Sequence, residues 1–195
     1  MKKDIILSGV GGQGILSIAA IIGKAALNEG LRIKQAEVHG MSQRGGDVQS
    51  NLRISSEPIA SDLIPRGGAD IIISLEPMEA LRYLPWLSSD GWVITNTTPF
   101  VNIPNYPENE ALEGELKRLP HVVALDVDAL ARQAASPRAA NIVLLGAAAP
   151  FLGLEAEKLE QGIRDIFARK GDAVVETNLA AFRAGYEHAL KTARR

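Results

Sequence analysis

Ser8-Gly9-Val10-Gly11-Gly12-Gln13-Gly14-Ile15 is the stretch whose reading decides the fold. Ile5, Ile6 and Leu7 ahead of it form the apolar start of a strand, and the apolar run from Ile15 to Leu27 behind it has helical length. Gly9, Gly11 and Gly14 fit G-x-G-x-x-G. That spacing lets a chain turn sharply, bring its backbone against an anion and start a helix whose free N–H groups face the anion. Gly12 adds a fourth position without a β-carbon, and Gln13 lies inside the turn. The same glycines would serve a tight strand-to-helix crossing with no ligand, so the spacing alone leaves both readings open.

A chain of 195 residues suits one α/β domain spanning 1–195. The balance of 46% hydrophobic to 23% charged residues is that of a globular protein, and a net charge of −2 gives no footprint for nucleic acid. With only 5% aromatic residues, base-stacking platforms are not expected either. The chain has no cysteine, which excludes disulfides, thiolate zinc sites, a cysteine nucleophile and any iron–sulfur cluster held by this chain. Met1-Lys2-Lys3 is a short basic start, but the apolar stretch after it breaks at Gly9, so no signal peptide is read here. No apolar run approaches the ~18 residues of a membrane span. A soluble, cytoplasmic protein with no membrane partner is expected.

Beyond the opening turn, the first helix stops at Gly30 and Leu31 to Val38 reads as a second strand. Glu37 stands near the place where a dinucleotide-binding fold puts its ribose acid, which keeps a stand-alone NAD- or FAD-binding oxidoreductase as an alternative. His39 to Asp47 is a glycine-rich loop. Val48, Ser50, Leu52 and Ile54 then alternate with Gln49, Asn51 and Arg53 as a strand with one exposed side. It follows too closely for a helical crossover, so it is expected antiparallel, at or near a sheet edge. A dehydrogenase half would have a helix there.

Further strands are expected at Ala69 to Ser74, Gly91 to Thr95 and His121 to Asp126, with helices at Glu76 to Leu84 and Ala111 to Leu119. Asp128 reads as the N-cap of the helix after the last strand, and Ser136-Pro137 as the start of a buried helix over Ala139 to Ala149. Glu155 to Lys170 places Leu159, Ile163, Ile166 and Phe167 on one face. The last helix buries Val175, Leu179, Phe182, Tyr186 and Leu190.

In a mostly parallel open sheet, ligands collect at the carboxyl ends of the strands. There the glycine turn meets Gln43-Arg44-Gly45-Gly46, in which a guanidinium can hold a phosphate or carboxylate while two glycines allow close approach. A pairing of Arg44 with Asp47 is the plain alternative. His39, His121 and His188 have no ligand spacing, Ser42 is not in a nucleophile elbow, and no P-loop lysine or paired acids appear. No catalytic residue and no metal site are assigned. The candidate binding residues are Gly9, Gly11, Gly12, Gln13, Gly14, Gln43, Arg44, Gly45 and Gly46.

Four segments together carry a family resemblance: Ser8 to Gly14, His39 to Gly46, Asn141-Ile142-Val143-Leu144-Leu145-Gly146 and Asn178-Leu179-Ala180-Ala181-Phe182. Over essentially its whole length the chain resembles the gamma-type subunits of 2-oxoacid:ferredoxin oxidoreductases, nearest to the indolepyruvate branch. The resemblance implies a three-layer α/β/α fold with a mixed, mostly parallel sheet, like domain III of the single-chain pyruvate enzymes. It implies an accessory subunit that is not catalytic alone. Thiamine diphosphate and iron–sulfur clusters would belong to a large catalytic partner subunit, and ferredoxin would be met only indirectly. The glycine turn and the Arg44 loop would help close the partner's active site and contact coenzyme A. A homodimer of the isolated subunit is compatible with this. The lack of cysteine agrees independently, as does the lack of a thiamine signature after Gly171-Asp172.

Overall fold

A computed structural model describes residues 1–39, 45–134 and 136–193. The elements run β1 (Lys2–Val10), α1 (Ile15–Asn28), β2 (Arg32–His39), β3 (Asp47–Ser55), β4 (Ala69–Ser74), α2 (Pro77–Arg82), β5 (Leu87–Asn96), α3 (Asn109–Lys117), β6 (Val122–Leu125), α4 (Val127–Ala134), α5 (Ala140–Leu152), α6 (Ala156–Phe167) and α7 (Asp172–Thr192). One sheet has the order β2-β3-β1-β4-β5-β6. β1, β4, β5 and β6 are parallel neighbours, and β3 lies antiparallel to both β1 and β2. The α/β fold with a mixed, mostly parallel sheet is therefore as the sequence indicates. β3 is near the edge, and β2 forms the edge itself.

The pleat sends alternate side chains of β1 to two unequal layers. Ile5 and Leu7 join Ile71, Ile73, Ile94 and Val123 in the larger core, under α1, α4, α5, α6 and α7. Ile6 points the other way and packs with Ile72, Val93, Ala80 and Tyr83, beneath α2 and the 57–68 loop. This loop changes the reading of β3. Asn51 is buried rather than exposed, because its Oδ1 accepts the Ile64 N–H at 3.1 Å. Arg53 forks onto buried Asp4 at 2.7 and 2.9 Å and donates to the carbonyls of Ser61 and Leu63. The second face of β3 is thus covered by a polar clamp, which alternation of apolar residues does not report.

Two further expectations change. Asp126, not Asp128, caps α4, its carboxylate accepting the Ala129 N–H at 2.8 Å. Leu159 and Ile163 bury α6 as expected, but Ile166 is exposed. Helix α5 is buried along most of its length, since it lies between the sheet and α7. It meets α7 at a crossing of two glycines. A β-carbon on Gly146 would lie 1.9 Å from the Phe182 carbonyl oxygen, and one on Gly185 would lie 1.9 Å from that of Val143.

Such backbone contacts cannot yield by rotating a side chain. Gly146→Ala and Gly185→Ala should each cost about 1–3 kcal/mol or more, lowering the melting temperature by roughly 2–4 °C per kcal/mol. Gly114→Ala, where a β-carbon meets nothing within 4 Å, should leave it unchanged or raised. Thermal melts of the three variants check this.

Candidate functional site at the carboxyl ends of the strands

The strand-to-helix turn is built by its own backbone and by Gln13. The Gln13 Oε1 accepts the Val10 N–H at 2.7 Å, and its Nε2 donates to the Leu75 carbonyl at 3.1 Å, locking the turn onto the end of β4. Gly14 opens α1 with φ 89°, a left-handed conformation that favours glycine. A β-carbon there would lie 2.7 Å from Asn141 Nδ2, which donates to the Gly14 carbonyl at 3.1 Å. This glycine is required by its backbone and by the close approach of α5.

The turn and the second glycine loop are joined. Gly11 N–H donates to the Gly46 carbonyl at 2.8 Å, and Gly45 N–H donates to the Gly11 carbonyl at 3.3 Å. Beside this junction is a hollow of about 340 Å³ lined by Val10, Gly11, Gly12, Gly14, Leu16 and Glu37. Of the residues proposed from sequence, Gly9, Gly11, Gly12, Gln13, Gly14, Gly45 and Gly46 are brought together here. Gln43 and Arg44 lie outside the described residues. Glu37 reaches the hollow from edge strand β2, with β3 between it and β1. In the dinucleotide-binding order the ribose acid comes from the strand beside the glycine strand.

A third segment, 97–107, overhangs the same end of the sheet. Asn96 holds its root: Oδ1 accepts the N–H groups of Thr98 and Val127, and Nδ2 lies 3.4 Å from the Leu75 carbonyl and 3.3 Å from Asp128. Glu76, fully buried at the N-cap of α2, accepts the N–H of Glu79 at 2.8 Å, the N–H of Phe100 at 3.3 Å and the hydroxyl of Tyr106. Burial, and then this carboxylate, push the Tyr106 phenol well above its ordinary range, so it remains a donor. At the tip, Asn102 Nδ2 donates to the Gly45 carbonyl at 2.9 Å. The loop is tied at root, middle and tip, yet presents Phe100, Val101 and Ile103 to solvent, Val101 at 70% exposure. By sequence, residues 99 to 107, with three prolines and two asparagines, read only as an irregular surface segment. The missed signal was Glu76 and Tyr106, whose role depends on contacts 30 residues apart.

Among the described residues no group of three or more His, Asp or Glu side chains could hold a metal. The helices described include none long and apolar enough to cross a membrane. The rim of the hollow offers backbone, one acid and apolar side chains, a surface suited to binding or covering a ligand.

Comparison with known proteins places the chain. The family described as pyruvate ferredoxin/flavodoxin oxidoreductase matches residues 4–188. The indolepyruvate oxidoreductase subunit IorB of Archaeoglobus fulgidus is 38% identical over 97% of this chain and 96% of its own length. That of Methanothermobacter thermautotrophicus is 36% identical over 98% and 100%. Among solved structures, the gamma subunit of a keto/oxoacid ferredoxin oxidoreductase from Geobacter sulfurreducens superposes with TM-score 0.70 at 27% identity, covering 97% of this chain and 99% of that one. A 2-oxoglutarate:ferredoxin oxidoreductase from Magnetococcus marinus shares the fold, with TM-score 0.74 at 20% identity. There this chain covers 31% of a longer polypeptide.

The acids near this site also set a pH response. Burial raises Glu79 above the ordinary 4.5, against the pull of Arg82, which lies at 2.8 and 3.1 Å. A raised folded-state value means that the protonated carboxyl is favoured on folding. Its contribution to stability is therefore full below pH 4.5 and is lost as pH rises through the folded value. Arg82→Ala removes the cation that limits this loss. Urea unfolding should show the variant destabilised by about 1–3 kcal/mol more near neutral pH than near pH 4; an equal penalty at both would contradict it.

Proposed function

The chain belongs to the pyruvate ferredoxin/flavodoxin oxidoreductase family, and on that premise we propose that it is the accessory subunit of an indolepyruvate-type 2-oxoacid:ferredoxin oxidoreductase, closing the active site of a large catalytic subunit and contacting coenzyme A. Homology to IorB and to gamma-type subunits supports the accessory role. The closing role rests on one observation: two glycine loops far apart in sequence are stitched into one hollow and overhung by a tethered apolar loop.

The partner would hold the thiamine diphosphate and the iron–sulfur clusters and would pass electrons to ferredoxin. The absence of cysteine here fits that division. A closing subunit needs no acid–base group of its own. It needs a surface that displaces water over the reacting centre and matches the partner's shape. Backbone groups without side chains can approach a ligand closely, and Phe100, Val101 and Ile103 give apolar area for docking. Coenzyme A is bound in the Magnetococcus marinus 2-oxoglutarate enzyme named above. Here its phosphates or pantetheine arm would meet the glycine hollow and the Arg44 loop. The complex would work in the cytoplasm, with 1–195 as one domain.

Titration calorimetry of the assembled complex with coenzyme A tests the role. Gly12 has φ 102°, where an L side chain is strained, and nothing within 4 Å of a β-carbon, so a side chain there strains the turn and projects into open space. Gly12→Val and Arg44→Ala should each weaken coenzyme A binding about tenfold or more, the value of one charge-assisted contact. Unchanged affinity in both would remove the coenzyme role. Loss of co-purification with affinity intact would make the loops an interface only.

A further inference from the structure

We propose that a second cavity, between the amino-terminal ends of α1, α5 and α7, binds a nucleoside phosphate, with Arg138 and Lys170 as its cationic contacts. The cavity measures about 550 Å³, larger than a bare phosphate needs and within the range of small-molecule sites. It is lined by both cations and by Ser17, Ser136, Asn141 and Asn178, and by no acidic side chain. The distribution of charge around it is selective. On the neighbouring helices Arg164 pairs with Glu176 and Arg183 with Glu160. Among the described residues no carboxylate pairs with Arg138 or Lys170.

The remaining wall suits the rest of such a ligand. Ser136 Oγ accepts the Arg138 N–H at 3.3 Å, so its own proton is available to an anion. Asn178 is 8% exposed; its Nδ2 donates to the Val174 carbonyl at 2.7 Å, and its Oδ1 has no donor among the described residues. Asn178 lines the cavity, and an amide oxygen there can accept from a sugar hydroxyl or a base amine. Phe167 adds an aromatic ring, over which Lys170 Nζ sits 5.3 Å from the centroid. Asn141 forms the partition from the glycine hollow, through its bond to the Gly14 carbonyl. The inference stands on this cavity alone and does not depend on the coenzyme A reading.

Calorimetric titration of the full chain with ADP tests it, with inorganic pyrophosphate and coenzyme A as further arms. ADP should bind, and Arg138→Ala and Lys170→Ala should each weaken it about tenfold or more. Both side chains are solvent-facing, so the fold should survive, checked by melting temperature. Gly12→Val should leave ADP binding unchanged. Coenzyme A competing with ADP in an Arg138-dependent way would identify the ligand as the nucleotide end of that coenzyme, and no competition would identify a free nucleotide; each supports the site. Absence of ADP binding, or binding indifferent to both cation variants, would overturn it. So would ADP binding that Gly12→Val abolishes while the cation variants retain it.

Discussion

The carbonyl of Leu75, at the end of β4, accepts from Gln13 and lies 3.4 Å from Asn96 Nδ2, and the site depends on that junction. The strands β1, β4 and β5 end side by side, leaving backbone groups that must be satisfied as the chain leaves the sheet. Two amides meet this need and at the same time fix where the glycine turn and the 97–107 segment go. Glu76 extends the arrangement one residue further. A buried carboxylate with no cation bonded to it among the described residues, it is held by three donors, and two of them belong to the overhanging loop. Removing any one donor leaves a buried carboxyl group short of a partner, so loop position and the satisfaction of Glu76 are one constraint.

The remainder of the molecule is a platform for that edge. The sheet is covered unequally, with five helices on one side and two short ones with a clamped loop on the other. The thick side needs α5 and α7 to pack closely, and Gly146 and Gly185 permit their backbones to meet. That crossing, with Asn141 and Asn178 sharing one cavity wall, puts the amino-terminal ends of α5 and α7 at the same end of the molecule. α1 starts there too, because Gly14 is bonded to Asn141. Gly14 lines the glycine hollow, and Asn141, bonded to its carbonyl, lines the cationic cavity. A single partition thus separates two chemically different recesses.

Much of this was legible in the amino-acid sequence, and the reasons are local. Ile5 to Leu7, the glycine turn and the length of Ile15 to Leu27 specify strand, turn and helix through short-range rules, and the early strand at Val48 argues against a simple dinucleotide half. The joining of Gly11 to Gly45 and Gly46 was legible only as proximity at the strand ends. What escaped depends on distant partners. Asn51 looks solvent-facing until Ile64 covers it. Asp126 and Asp128 are both plausible caps by spacing, and Asn96 draws the second away. Tyr106, in a segment rich in proline and asparagine, gives no sign that its hydroxyl reaches Glu76. Asn51, Asp128 and Tyr106 are polar side chains placed by non-local hydrogen bonds, to which hydrophobic periodicity is blind.

The strand-end edge, carrying both glycine loops and the tethered apolar loop, is the face we propose turns to the catalytic subunit. Hydrogen exchange of this chain, alone and assembled with that subunit, tests it most directly. Assembly should add protection at residues 9–14, 45–47 and 97–107 and leave α6 (Ala156–Phe167), on the far layer, unchanged. Protection gained along α6, with none at the strand ends, would contradict it.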